Sequence, residues 1–188
     1  MLKKKNSTWG ISELCTTSID HIKKDILNFS FEWTIDTSRQ AKYSTHQNTE
    51  MYPIRFLDYT WNVGDTVNII DRYNLNSVQA RAELEDIYNK LESEFDGKVV
   101  RVEVVKLKAN TNIRTHVDGG TMLAVARRCH IPIITNKDVF FTVYKDTVNM
   151  KEGVIYEINN SMPHSVLNDS DHDRIHIIID VLPNEYFL

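Results

Sequence analysis

The chain has 188 residues, 41% of them hydrophobic and 26% charged, and a formal net charge of −4. That is enough apolar material for one compact domain with its own core. The acidic balance leaves no electrostatic footprint for a duplex-binding protein, so nucleic acid is not an expected partner.

Lys3, Lys4 and Lys5 open the chain, but Asn6 to Leu14 is polar and mixed, so no secretory apolar segment follows. No apolar run approaches membrane-spanning length, and a soluble, cytoplasmic protein without a membrane partner is expected. Cys15 and Cys129 stand far apart without metal-ligand pairing, which predicts reduced thiols, with Cys129 packed as a small apolar residue. Ser18 is a candidate N-cap for a helix in which Ile19, Ile22, Ile26 and Phe29 form one apolar stripe. Ser77 precedes a longer helix, where Leu84, Ile87, Tyr88, Leu91 and Phe95 recur at helical steps and Gly97 is placed as the C-terminal cap.

From Lys98 the period changes. Val99 to Val105 is rich in β-branched residues, and Ala109-Asn110-Thr111-Asn112 supplies a turn before a strand at Ile113. Further strands are predicted at Cys129 to Thr135, Val139 to Tyr144, Val154 to Ile158, His164 to Leu167 and Arg174 to Leu182. Turn residues separate them at Asn136-Lys137-Asp138, Lys151-Glu152-Gly153 and Asn168-Asp169-Ser170. With no linker-like tract or repeat, residues 1–188 read as a single domain, mainly helix and loop over 1–97 and a jelly-roll core carrying the site over 98–188. The fold class is α+β: a double-stranded β-helix (jelly roll, cupin-like) with N-terminal helices packed on the major sheet.

The chemistry concentrates in that second half. His116-Val117-Asp118 is followed 48 positions later by His164, and ten after that by Arg174. Residues i and i+2 of an extended segment share a face, so His116 and Asp118 can reach one ion from one strand, with His164 added from a second. Two histidines and a carboxylate on one face of an octahedron leave three positions open, the arrangement of non-haem iron(II) oxygenases, whereas a structural zinc site is closed. In the last strand Arg174, His176, Ile178 and Asp180 share one face, and Ile175, Ile177, Ile179 and Val181 the other.

An isolated arginine is ordinarily a solvated surface residue. Arg174 follows a ligand histidine onto the next strand, and its planar fork suits the distal carboxylate of a dicarboxylate co-substrate. Arg128 and His130 likewise share a face, opposite Cys129, Ile131 and Ile133. Two readings of that pair stay open: a basic pair beside the metal, or a surface charge and a hydrogen-bonded core histidine.

These residues resemble the aspartyl/asparaginyl β-hydroxylase and proline 3-hydroxylase superfamily of iron(II)- and 2-oxoglutarate-dependent oxygenases. The resemblance covers roughly Val99 to Pro183. It rests on Ile113-Arg114-Thr115-His116-Val117-Asp118, Arg128-Cys129-His130, Gly153 opening a strand, His164-Ser165-Val166-Leu167-Asn168 and Arg174. It implies that His116, Asp118 and His164 bind iron(II), that Arg174 holds the tail of 2-oxoglutarate, and that Arg128 and His130 contact 2-oxoglutarate or substrate, with dioxygen as oxidant. The animal-type aspartyl hydroxylases lack the carboxylate ligand, so Asp118 brings this chain closer to the free-amino-acid hydroxylases. The turn before Ile113 also lacks the Pro-Gly often found there.

Trp33, Arg39-Gln40, His46 and Thr49 resemble a segment that approaches the active site in the same group, against the alternative of an ordinary polar loop. Trp9, Trp61, Tyr43 and Tyr52 read as packing residues, His172 as a loop residue and His21 as an exposed helix residue.

The expected activity is hydroxylation of a free amino acid such as proline, or of an aspartyl, asparaginyl or prolyl residue in a protein or peptide. One rival is an alkylation-repair-like dioxygenase acting on nucleic acid, which usually carries a second arginine where this chain has Asp180. The other is a non-enzymatic metal-binding jelly-roll sensor, which would consume no 2-oxoglutarate. The sequence carries no indication of oligomeric state.

Overall fold

The computed structural model describes residues 10–28, 32, 33, 35–37, 41, 44–58 and 60–187. Lys3 to Lys5, Trp9, Phe29, Arg39, Gln40 and Tyr43 lie outside the described residues. Within them the chain runs β1 (Ile11–Thr16), α1 (Asp20–Asn28), a 3-10 turn (Ser44–His46), β2 (Thr49–Leu57), β3 (Ile69–Asp71) and α2 (Val78–Phe95). It continues through β4 (Gly97–Leu107), β5 (Thr111–His116), α3 (Thr121–Val125), β6 (Arg127–Ile134), β7 (Val139–Val143) and β8 (Asp146–Val148). Last come β9 (Val154–Ile158), β10 (His164–Asn168), β11 (Arg174–Pro183) and a 3-10 turn (Asn184–Tyr186).

The described strands form two antiparallel sheets. The larger has the order β1-β9-β6-β11-β4-β2-β3, the smaller β5-β10-β7-β8. They make the expected jelly roll, with α1 and α2 packed on the larger sheet. The outward residues of β11, Ile175, Ile177, Ile179 and Val181, join Cys129, Ile131 and Ile133 of β6 and Ile22, Ile87 and Leu91 of the helices in one buried cluster. Burying each such side chain is worth about 1.5–3 kcal/mol, which ties the helices to the sheet. The opposite face of β6 and β11 is thereby turned inward.

Local chemistry departs from the sequence reading at several points. Ser18 does not cap α1; its hydroxyl donates to Glu83 Oε1 at 2.6 Å, while Glu83 Oε2 accepts from the His21 and Ile22 amides, both at 2.9 Å. A carboxylate from α2 thus takes the place of a local cap and favourably meets the positive end of α1.

Ser77 does cap α2, its hydroxyl accepting from the Ala80 amide at 3.1 Å. The helix ends on Asp96 in the left-handed region (φ 45°), and Gly97 instead opens β4. A Cβ at Gly97 would meet the Leu182 carbonyl oxygen at 2.5 Å, so the glycine serves close approach to β11. Tyr144 is not in β7, because φ 54° places it in the following turn. The strands before Lys98 were not anticipated: β1 adds to β9, and β2 to β4.

Candidate active site

The inward face of the roll carries the polar cluster. His116 ends β5 and His164 begins β10, and the antiparallel register sets them directly opposite each other. Their rings lie 4.3 Å apart between centroids. Asp118 is not on the strand with His116, as the i, i+2 argument assumed; β5 stops at His116 and Asp118 sits in the turn beyond it. Its amide donates to the Asn160 carbonyl at 3.3 Å, and Asn160 Nδ2 donates to the Leu123 carbonyl at 2.9 Å, which fastens this turn to the segment before His164.

Asp118 Oδ1 lies 3.6 Å from His116 Nε2, and Asp118 Oδ2 3.7 Å from His164 Nε2. One ligand atom from each of the three residues falls within 4.8 Å of the others, the cluster of this kind found among the described residues. His116 Nδ1 and His164 Nδ1 lie 2.8 and 3.0 Å from the carbonyls of Arg114 and Met162. A carbonyl only accepts, so each Nδ1 carries a proton and each Nε2 is the ring nitrogen turned toward Asp118. Burial lowers the His164 pKa, opposed by the Asp118 carboxylate, and keeps the ring neutral and ligand-competent. Two imidazole nitrogens and one carboxylate on one side, open toward a cavity, fit a facial iron(II) site and not a closed tetrahedral one.

The cavity beside these ligands is walled by Val105, Ile113, Phe141, Val166 and Ile178, with His46, Arg128, His130 and Arg174 as further polar lining. Arg174 is 1% exposed, and burial pushes its pKa down to about 9. Its Nη2 donates to His176 Nδ1, and its Nε finds no partner. His176 must therefore be neutral with the proton on Nε2, an atom that is itself buried without a partner. A buried guanidinium that donates to an uncharged imidazole suits an anionic ligand.

His130 lies across from Ile178 in the β6–β11 pairing, and its Nδ1 is likewise unpartnered. Burial, then the Arg174 charge, holds the pKa values of His130 and His176 well below the usual imidazole value.

Arg128 is at the cavity wall as expected, but its fork is engaged elsewhere. Nε and Nη2 each donate to Asp180 at 2.8 Å, and Nη1 donates to Asp118 Oδ2. Burial alone would lower its pKa, but the Asp118 and Asp180 carboxylates raise it above the ordinary arginine value. Asp180, placed by the sequence on the face of Arg174 and noted for not being arginine, is the partner of Arg128 that sequence reasoning missed. Its contact with Arg128 follows from the β6–β11 register, in which the two are direct cross-strand partners. His46 also comes to the site: its ring lies 5.4 Å from that of His116. His172 and His21 are exposed, as expected.

A sequence model of the aspartyl/asparaginyl β-hydroxylase family matches residues 17–183. The chain belongs to that family. This hydroxylase is an iron(II)- and 2-oxoglutarate-dependent oxygenase, in accord with the His116–Asp118–His164 cluster. A search of curated proteins finds no significant match.

Among solved structures, the hydroxylase is similar in fold to a 2OG-Fe(II) oxygenase family oxidoreductase from Burkholderia pseudomallei (TM-score 0.58, 11% identity, 92% of this chain and 84% of that one). It is similar also to the viral collagen prolyl hydroxylase of Paramecium Bursaria Chlorella virus-1, solved with 2OG (TM-score 0.58, 9% identity, 94% and 97%). A third is the non-heme monooxygenase ThoJ (TM-score 0.57, 12% identity, 94% and 75%). Among the described residues no helix is long and apolar enough to cross a membrane.

The buried imidazoles predict how the metal-free hydroxylase responds to acid. An unfolded histidine takes up a proton near pH 6.5, whereas folded His130, His164 and His176 stay neutral to lower pH. Below about pH 6.5 the unfolded state binds more protons, so stability falls by up to about 1.4 kcal/mol per pH unit for each group until its folded pKa is reached. A thermal-melt series in chelator between about pH 7.5 and 5 is expected to show this decline; a flat melting temperature would mean that these rings are not held neutral.

Proposed function

We propose that the hydroxylase holds iron(II) with His116, Asp118 and His164, grips the distal carboxylate of 2-oxoglutarate with Arg174, and hydroxylates an amino acid or an aspartyl, asparaginyl or prolyl residue. The observation that carries this reading is the position of Arg174. It is a buried cation whose hydrogen bond goes to a neutral histidine, and it lines the same cavity as the three-ligand cluster.

With iron(II), 2-oxoglutarate and dioxygen bound, the centre supplies the oxidising power that converts a substrate C–H bond to C–OH, the co-substrate leaving as succinate and carbon dioxide. The protein contributes placement. His116 and His164 are oriented by the carbonyls of Arg114 and Met162, which accept from Nδ1 and leave each Nε2 to face the metal. The Arg174 fork would hold the distal carboxylate of the co-substrate in the cavity. Val105, Ile113, Phe141, Val166 and Ile178 exclude water from the reacting carbon. His130 offers its unpartnered Nδ1 to co-substrate or substrate, and His46 flanks His116 on the cavity wall.

The strands β1 to β3 join the same sheet as β4, β6, β9 and β11, which supports one domain over 1–188. Free Cys15 and Cys129 support a reducing, cytoplasmic setting.

Succinate release measured against a panel of free amino acids and of short peptides containing Asp, Asn or Pro tests the substrate class. One class is expected to raise succinate formation above the substrate-free rate and to yield a product heavier by one oxygen atom. Stimulation by single-stranded DNA alone, or no 2-oxoglutarate consumption with any of these compounds, would overturn the proposal.

A further inference from the structure

The polar face of β11 and β6 holds more charge than three ligands and a co-substrate anchor require. Asp180, 0% exposed, accepts both arms of the Arg128 fork at 2.8 Å, and the third arm reaches Asp118 Oδ2. Behind this pair, Arg101 is bonded to Glu103 and lies 3.9 Å from Asp180. The charges are therefore ordered as Glu103, Arg101, Asp180, Arg128, Asp118. Both arginines in this row have a carboxylate, and Arg174 stands outside it.

From this arrangement we infer that Arg128, held by Asp180, is a positioning residue for the metal-binding carboxylate. Arg128 Nη1 occupies Oδ2 of Asp118 and turns the carboxylate so that Oδ1 is the oxygen offered to the metal. A carboxylate held in this way binds through one oxygen, which keeps a coordination position free for co-substrate or dioxygen. Asp180 fixes the guanidinium by two parallel bonds, so Arg128 can neither rotate toward an incoming substrate carboxylate nor draw Asp118 wholly away from the histidines.

The inference rests on the metal reading proposed above, and it gives Arg128 a different task from direct contact with 2-oxoglutarate. It also makes Asp180 a residue of the site although Asp180 touches neither metal nor substrate.

Cobalt(II) titration of the chelator-stripped full chain, followed by visible absorption, tests it without turnover. The wild type is expected to bind one equivalent with a defined ligand-field spectrum. Arg128→Gln and Asp180→Asn are expected to weaken cobalt binding about 10- to 100-fold, the usual effect of removing a partner of a metal ligand, and to alter the spectrum.

Either single variant leaves a buried charge unmatched and can fail to fold. The double variant Arg128→Met/Asp180→Leu removes the pair together, a replacement that buried ion pairs commonly tolerate. It is expected to fold yet still bind cobalt weakly and with a changed spectrum. Wild-type affinity and spectrum in the folded double variant would overturn the inference and leave the pair a packing feature. No cobalt binding by the wild type would instead defeat the metal reading itself.

Discussion

Arg174→Leu is expected to bind 2-oxoglutarate roughly a hundredfold more weakly than the wild type while keeping its metal, and to melt at a higher temperature when no ligand is present. Truncating one partner of a buried, hydrogen-bonded charge pair costs about 2–5 kcal/mol, and each 1.4 kcal/mol is about a factor of ten in affinity. The hydrogen bond of Arg174 goes to His176, so the proposed ligands His116, Asp118 and His164 are expected to keep their metal affinity.

The rise in melting temperature has the same origin as the loss of binding. Burial lowers the Arg174 pKa to about 9, which means that the fold without ligand opposes its positive charge. Leucine removes that penalty and fills part of the same volume. An ordinary structural arginine would behave oppositely, its loss lowering the melting temperature. Unchanged 2-oxoglutarate affinity in Arg174→Leu would remove this residue from the site.

Asp118→Ala is expected to lose most turnover and at least about two orders of magnitude in iron(II) affinity, since partners of ligands alone are worth 10- to 100-fold. Two effects add. The anionic ligand is gone, leaving two imidazoles. The Arg128 guanidinium, no longer bonded to Asp118, then presents its charge toward the place where a divalent cation would sit. Asp118→Asn restores shape and an acceptor oxygen but not the negative charge, so it is expected to fall between alanine and the wild type in metal affinity. Near-normal activity in Asp118→Ala would refute the ligand assignment.

The fold class and the grouping of the candidate site residues were legible in the sequence; the pairing of the strands was not. His116, Asp118, His164 and Arg174 are separated along the chain, yet all four line one cavity as expected, although Asp118 reaches it from the segment after β5 and not from the strand that carries His116. The face-sharing of Arg174, Ile178 and Asp180 against Ile175, Ile177 and Ile179 follows from a period of two and needs no tertiary knowledge.

Pairing needs more. Asp180 bonds Arg128 because β11 and β6 align with those residues opposite, and nothing local announces that register. The same cause hid β1, β2, β3 and β8. β1 lies at the sheet edge, with half-buried and exposed residues and no regular alternation, and β3 and β8 have only three residues each. β2 contains Pro53, which ordinarily counts against a strand. It is tolerated because β3 pairs only with Arg55 to Leu57, leaving Pro53 where the missing N–H is not needed on that side. Ser18 misled for a related reason, since the carboxylate that caps α1 arrives from Glu83 on another helix.

The central claim is that one cavity joins a metal bound by His116, Asp118 and His164 to a co-substrate anchored by Arg174. Calorimetric titration of 2-oxoglutarate into the anaerobic, iron(II)-loaded wild type, repeated with metal-free protein and with His164→Ala, tests it most directly. Tight binding is expected only with iron(II) and an intact His164. Binding of equal strength in all three samples, or in none, would contradict the account.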